Sequence, residues 1–238
     1  DGTHGEELWK SDGTENGTVL LKDIRIGEGG STIGCSYNRH TDLLGESQGF
    51  ITFGNSVYFS ANNGTWTDEN RTGPEMWRSD GTSEGTYLVK DLNPGVDSGF
   101  QGHMQVLGNH LYFMGNDGGG NGSELWKTDG TADGTVMVKD IRPGSLGSQA
   151  ARFQLVGDNL FFFANDGSVP GSYHYEVWKT DGTEEGTVKV ISDVYPGTSS
   201  FPTAVGDIFY FQADDDSGNG LELWKSDGTE EGTMMVKN

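Results

Sequence analysis

Residues 123–135 read SELWKTDGTADGT, and four other stretches repeat the pattern: EELWKSDGTENGT (6–18), PEMWRSDGTSEGT (74–86), YEVWKTDGTEEGT (175–187) and LELWKSDGTEEGT (221–233). The signature tryptophans Trp9, Trp77, Trp126, Trp178 and Trp224 stand 68, 49, 52 and 46 residues apart. A period near 50 means one supersecondary unit per repeat, each burying its apolar face against its neighbours. The longer first interval marks an insertion at about 33–49, and the 238 residues read as a single repeat domain, 1–238.

Outward from the signature, each unit parses into four strands. Strand a is a short apolar stretch such as Arg152–Val156, closed by the tight Gly-Asp-Asn turn 157–159. Strand b is aromatic: Leu160–Ala164, with Val57–Ala61, Leu111–Gly115 and Ile208–Ala213 as counterparts. Strand c is Glu-Val-Trp-Lys at 176–179, and Asp-Gly-Thr turns the chain into strand d, Val188–Ile191. Asp-Gly between two apolar runs is a strong hairpin signal, because Gly accepts a positive φ and Asp bonds its own backbone. Alternation puts Glu124 and Trp126 on one face of strand c and Leu125 and Lys127 on the other.

Four-stranded up-and-down units with a longer d-to-a connection (140–151) fit the blades of a β-propeller better than the shorter coils of a β-solenoid. The fold class expected is therefore all-β, a five-bladed β-propeller with an incomplete or irregular first blade. The register explains the irregularity: the chain opens just before a strand c and closes after a strand d. That leaves four full blades and an N-terminal c–d pair, which would borrow strands from the insertion around Ile33–Leu44 or from sequence outside the chain. Unpaired strand edges are a liability that such a blade must manage. The mid-repeat start at Asp1 also reads as a processed or excerpted segment.

At these residues the chain resembles the bacterial ELWxxDGTxxGT repeat family, and the resemblance covers nearly its whole length. Met76-Trp77-Arg78 and Val177 depart from the pattern conservatively, and the insertion departs from it more. The resemblance implies an exported or surface-attached protein, extracellular or on the cell surface, and no single activity.

Composition narrows the partners. Asp and Glu number 36 against 15 Lys and Arg, a formal charge of −21. A field of that sign repels phosphate backbones, so neither nucleic acid nor an anionic membrane surface is expected as a partner. No apolar run approaches the roughly 18 residues of a membrane helix, and neither membrane insertion nor a signal peptide is read. Apolar residues make up only 32%, but periodic aromatics argue for order, and the 39 glycines read as turns. Cys35 is the single cysteine. It excludes an internal disulfide and a cysteine zinc cluster, and leaves an intermolecular disulfide as one route to an oligomer.

Repetition separates scaffold from function. The signature glutamates (Glu7, Glu75, Glu124, Glu176, Glu222) and aspartates (Asp12, Asp80, Asp129, Asp181, Asp227) could do acid–base work, but a pair copied into every unit is structural. The Asp of D-G-T is expected to cap its turn, and the strand-d Lys-Asp doublets at 22–23, 90–91 and 139–140 to make cross-strand or solvent pairs. The turn is similar to the Asp-box hairpins of sialidases, yet six arginines supply little for a sialidase site. Gly45–Gly49 matches G-x-S-x-G by chance, since that motif needs a strand-to-helix turn and no helical periodicity is present.

Function is then expected where the units differ, in the b–c loops 62–74, 116–123, 165–175 and 214–221. Trp66 is the one tryptophan outside the signature, and Tyr173-His174-Tyr175 is an aromatic cluster found once. Aromatics beside Asn and Asp suit a sugar, whose apolar face stacks on a ring while its hydroxyls find polar partners. Asp214, Asp216 and Asn219, with Asp166, supply hard oxygens suited to Ca²⁺, although no stretch matches an EF-hand loop. The reading is a non-enzymatic, lectin-like binding module for a glycan or surface ligand, with Ca²⁺ as a candidate cofactor. Two alternatives stand beside it: a structural or adhesive segment of a larger surface protein, and a carrier of a lipophilic small molecule or pigment held by Phe59, Tyr112, Phe162 and Tyr210.

Overall fold

The computed structural model describes residues 3–27, 29–31, 33, 49–64, 71–169, 174–197 and 200–237. Every regular element among them is a β-strand. The signature alone forms a two-stranded pair from β1 (Leu8–Lys10) and β2 (Val19–Lys22). Three four-stranded sheets follow in chain order. Sheet I holds β3 (Phe50–Phe53), β4 (Ser56–Ala61), β5 (Glu75–Ser79) and β6 (Tyr87–Lys90). Sheet II holds β7 (Phe100–Leu107), β8 (His110–Gly115), β9 (Glu124–Thr128) and β10 (Val136–Lys139). Sheet III holds β11 (Ala151–Val156), β12 (Asn159–Ala164), β13 (Glu176–Thr180) and β14 (Val188–Lys189). Sheet IV runs β15 (Tyr195–Pro196), β17 (Ile208–Asp214), β18 (Glu222–Ser226) and β19 (Met234–Lys237), with β16 (Thr203–Val205) also pairing β17. Neighbouring strands are antiparallel, as two-residue hairpins and the Asp-Gly-Thr turn require.

The chain divides into two compact units. The first comprises Asp1–Gly102 with Gly115–Gly119 and Thr128–Thr135; the second comprises His103–Met114, Gly120–Lys127 and Val136–Asn238. In the first, Leu8, Leu21 and Ile24 of the opening pair and its connection pack on Phe59, Ala61 and Trp77 of sheet I. In the second, Leu125, Val138 and Tyr112 of sheet II meet Phe162 and Trp178 of sheet III. Val177, Val190 and Phe161 of sheet III meet Phe211 and Trp224 of sheet IV in the same way. Each interior sheet thus has a forward face of strand-c and strand-d aliphatics and a backward face carrying the tryptophan. Burial on both faces explains why strand c of sheets I to III is not half polar.

The D-G-T turn is the expected cap, five times over. The Asp129 carboxylate accepts from the Thr131 backbone N–H at 2.9 Å and from its hydroxyl at 2.7 Å. The Thr131 hydroxyl oxygen then accepts the Gly134 N–H, and Thr135 donates back to the Thr131 carbonyl. Asp12, Asp80, Asp181 and Asp227 repeat the geometry. These hydrogen bonds hold the carboxyls of Asp12, Asp80 and Asp227 below the usual range, led by the threonine hydroxyl; for Asp181 the Thr183 backbone leads.

The glycine of this turn has a second reason to be glycine. Gly130 (φ +95°) and Gly182 (φ +95°) need the left-handed region, and a Cβ on either would collide with a tyrosine hydroxyl, Tyr58 or Tyr112 respectively. Those tyrosines sit on strand b of the preceding sheet. Gly81, preceded only by the pair β1–β2, has open space there.

The strand lysines differ from expectation. Rather than pairing across their own sheet, they donate to backbone carbonyls of the next hairpin. Lys10 reaches Gly81 at 2.9 Å and Lys22 reaches Thr86 at 2.6 Å. Lys90 reaches Thr135 at 2.8 Å, Lys127 reaches Gly182 at 2.7 Å, and Lys139 reaches Thr187 at 2.9 Å. A flexible four-carbon stem spans to the next hairpin, and orphan turn carbonyls offer a better acceptor than water at a partly buried site.

Candidate functional site

The signature glutamates are scaffold, through partners the sequence does not name. Glu75 accepts the backbone N–H groups of Leu92, Asn93 and Gly99, and Glu124 those of Ile141, Arg142 and Ser148. Glu7 accepts from Ile24 and Arg25. The partners stand 17 and 18 residues ahead each time, and for Glu75 and Glu124 also 24 ahead. The carboxylate therefore staples strand c to the d–a connection. Burial pushes the Glu75 carboxyl up to about 8 and that of Glu124 to about 7, against the pull of those N–H groups.

Sheet III breaks the pattern. Its strand-d segment, Val188-Lys189-Val190-Ile191-Ser192-Asp193, is one residue longer than Val136–Asp140, and its lysine comes two positions early. Strand β14 stops after two residues, and Asp193 takes a φ of 59°. Glu176 turns instead to its own b–c loop, accepting the Asp166 N–H at 3.3 Å and the Ser168 hydroxyl at 3.4 Å. Lys189 pairs with Asp166 at 2.6 Å rather than reaching the next hairpin. Burial pulls the Asp166 carboxyl up, but Lys189 and Ser168 outweigh it and hold it below its ordinary value. Burial, with the Asp166 charge adding, raises Glu176.

The freed connection then joins sheet IV as β15, where Tyr195 pairs with Asp214 and Pro196 with Ala213. The His174 ring lies 4.6 Å from the Tyr195 ring at 32°. The Tyr195 hydroxyl donates to Asp193 at 3.3 Å. Burial raises this phenol, with Asp193, Asp216 and Glu176 adding negative field. Nδ1 of His174 is shielded from solvent and has no hydrogen-bond partner among the described residues. An aromatic pair with aspartates on its rim is thus assembled from three segments of the second unit: the end of the 165–175 loop, the connection at 193–196 and the start of the 214–221 loop.

Of the residues singled out from sequence, Trp66 and Tyr173 lie outside the described residues, as does Cys35. His174 joins the aromatic pair. Tyr175, its neighbour, faces elsewhere, packing on the sheet III–sheet IV core and donating its hydroxyl to Gln149 at 3.2 Å. Asp214, Asp216 and Asn219 form a run of local turns: Asp214 accepts the Asp216 N–H at 2.8 Å, and Asn219 donates to the Ser217 hydroxyl at 3.0 Å. Asp166 is committed to Lys189. Among the described residues, no three His, Cys, Asp or Glu side chains gather as a cation site. Phe59, Tyr112 and Phe162 are buried in the core, and Tyr210 is half-buried. Tyr195, Asp193 and Lys189 are the residues that sequence reading passed over. Their signal was the broken Lys-Asp doublet and the Tyr-Pro-Gly standing where sheet II has Arg142-Pro143-Gly144.

No protein-family model matches the chain, and no curated protein matches it. Solved structures with a similar trace include oligopeptidase B from Leishmania major, 15% identical with a TM-score of 0.46 over 78% of this chain and 26% of the enzyme. This chain therefore spans about a quarter of that protein. An endo-1,4-beta-xylanase from Bacteroides thetaiotaomicron is 12% identical, with a TM-score of 0.36 over 79% of this chain and 71% of that one. A GH43 endo-arabinanase from Bacillus licheniformis is 14% identical, with a TM-score of 0.29 over 79% and 78%. Likeness this distant leaves function to the chain's own residues.

Proposed function

We propose that the chain is a non-enzymatic binding module of an exported protein, with its repeats as propeller blades, five by signature count and the first irregular. Its ligand is a glycan or similar surface molecule. The observation that carries this reading is the His174–Tyr195 ring pair with Asp193, Asp214 and Asp216 beside it. A sugar offers an apolar face to such rings and hydroxyl donors to such carboxylates. Binding is favoured over catalysis because three of the repeated glutamates, Glu7, Glu75 and Glu124, are already engaged by backbone N–H groups. Glycan-array and frontal-affinity measurements on the intact protein and on Tyr195→Ala, with and without Ca²⁺, test the reading. Binding by the parent that falls about tenfold or more in the variant, at unchanged melting temperature, supports it. A parent that binds no glycan in either condition ends it. The structural or adhesive reading draws on a different observation, the apolar side chains left exposed on the last sheet and at Trp9.

A further inference from the structure

Where Asp or Asn precedes glycine, the glycine nitrogen can close on the side chain before it, because no Cβ shields that nitrogen. Such pairs occur twelve times among the described residues, and the fold ties down nearly all of them. The five hairpin glycines Gly13, Gly81, Gly130, Gly182 and Gly228 each donate their N–H to a Ser or Thr hydroxyl two residues back. Gly17 and Gly134 donate to the hydroxyls of Thr14 and Thr131. Gly118 and Gly167 donate to the carboxamides of Asn116 and Asn165. A nitrogen whose N–H is engaged in this way gives up a hydrogen bond before it can attack.

Three pairs remain, and all are Asn-Gly: Asn63-Gly64, Asn121-Gly122 and Asn219-Gly220. The Asn63 carboxamide oxygen accepts the Thr72 N–H at 2.6 Å and the Thr72 hydroxyl at 3.2 Å, which fixes its side chain. Gly122 is buried, and a Cβ there would overlap the backbone of Gly147, so a ring closing on that nitrogen has little room. Asn219-Gly220 differs on every count. Asn219 is exposed, and Gly220 has nothing within 4 Å of where its Cβ would stand. The Gly220 N–H has no hydrogen-bond partner among the described residues. The Asn219 amide nitrogen donates to the Ser217 hydroxyl at 3.0 Å, so a hydroxyl stands beside the group that must leave as ammonia.

We propose that Asn219 is a site of spontaneous deamidation, and the first of the described asparagines to react in the folded chain. The Gly220 nitrogen loses its proton to solvent base and bonds to Cγ of Asn219. The Cγ–Nδ2 bond breaks, and the nitrogen leaves as ammonia with a proton from water or Ser217. The resulting succinimide takes up water at one of its two carbonyls and opens to aspartate or isoaspartate. Either product adds a carboxylate to the run that begins at Asp214, the residue paired with Tyr195. Isoaspartate also routes the backbone through the side-chain carbon and so lengthens the loop. The chemistry is independent of the glycan reading and needs no ligand.

Incubation of the protein in warm, mildly alkaline buffer tests it, with peptide mapping by mass spectrometry and enzymatic methylation of isoaspartate as readouts. In the folded chain the Asn219 peptide is expected to gain acid and isoaspartate forms while the Asn16, Asn63 and Asn121 peptides keep their amides. In urea, where the hydrogen bonds and packing that protect those three are gone, all four should convert. Asn219→Gln should remove the native-state signal without changing the melting temperature, since that side chain is exposed. Earlier conversion at Asn16, Asn63 or Asn121 in the folded chain overturns the proposal. So does an Asn219 that holds its amide while the unfolded chain converts. A ranking that urea leaves unchanged overturns it as well, because local sequence would then set the order.

Discussion

Sheets II and III carry the same signature and spend it differently. In sheet II, Glu124 closes the d–a connection and Lys139 crosses to the next hairpin. In sheet III, Glu176 serves its own b–c loop and Lys189 pairs with Asp166. One extra residue in strand d is enough to release the connection, which then carries Tyr195 to His174. A repeat that closes its connection is scaffold, and the one that lets go of it gains a surface feature found nowhere else among the described residues.

The sharpest way to break the comparison is to remove each glutamate. Glu124→Ala strands the buried N–H groups of Ile141 and Ser148, the partly buried N–H of Arg142 and the Ser148 hydroxyl, and should cost about 3–4 kcal/mol in urea unfolding. Glu176→Ala, whose two bonds are long, should cost about 1 kcal/mol. Equal costs would mean that the two carboxylates do the same work after all.

Next come the hairpin glycines. Gly182→Ala meets both a positive φ and the Tyr112 hydroxyl, and should cost about 2–3 kcal/mol. Tyr112→Phe in the same chain should recover part of that loss. Gly81→Ala, with open space, should cost only the backbone strain, about 1 kcal/mol. Thermal melts of the four proteins separate close approach from conformation.

The raised carboxyls make the scaffold sensitive to pH. Native Glu75 and Glu124 keep a proton at pH values where the unfolded side chains, with pKa 4.5, have lost it. The stability this contributes is complete below about 4.5 and gone once pH passes about 7 for Glu124 and about 8 for Glu75. The hairpin aspartates work the other way, contributing above 3.8 and losing it on acidification. Melting temperature should therefore peak on the mildly acidic side and fall towards pH 9. High salt keeps the −21 charge from masking the effect. Glu75→Gln with Glu124→Gln should flatten the alkaline limb, and an unchanged limb would assign it to other groups.

The smallest effect concerns the lysines. Lys139→Met should cost about 1 kcal/mol through two lost carbonyl contacts, and Lys189→Met less, as a partly exposed ion pair. Chemical unfolding of both resolves the order.

Strand pairing was legible because D-G-T turns and aromatic b strands recur with the same spacing, and alternation then fixes which residues share a face. The destination of Glu124 was not legible in the same way, because a carboxylate 17 residues before its partner leaves no periodic trace within one repeat. The lysines were misread for a related reason: their acceptors are carbonyls, which every residue has, so no side-chain pattern marks them. His174 could be singled out as unusual, but Tyr195 sits in a segment that resembles an ordinary connection until the added residue is counted. Asp214, Asp216 and Asn219 have the chemistry of a cation loop, and short Asx bonds among themselves and Ser217 satisfy much of it.

The lysine contacts share one direction, each donor lying earlier in the chain than the hairpin it grips. A repeat leaving the ribosome therefore carries its grips before their target has been made. Each new hairpin completes the layer made just before it, and folding can advance by local steps rather than await a distant contact. The layer made most recently is always the one with its apolar face bare, so the point most exposed to misassociation travels along the chain as it grows.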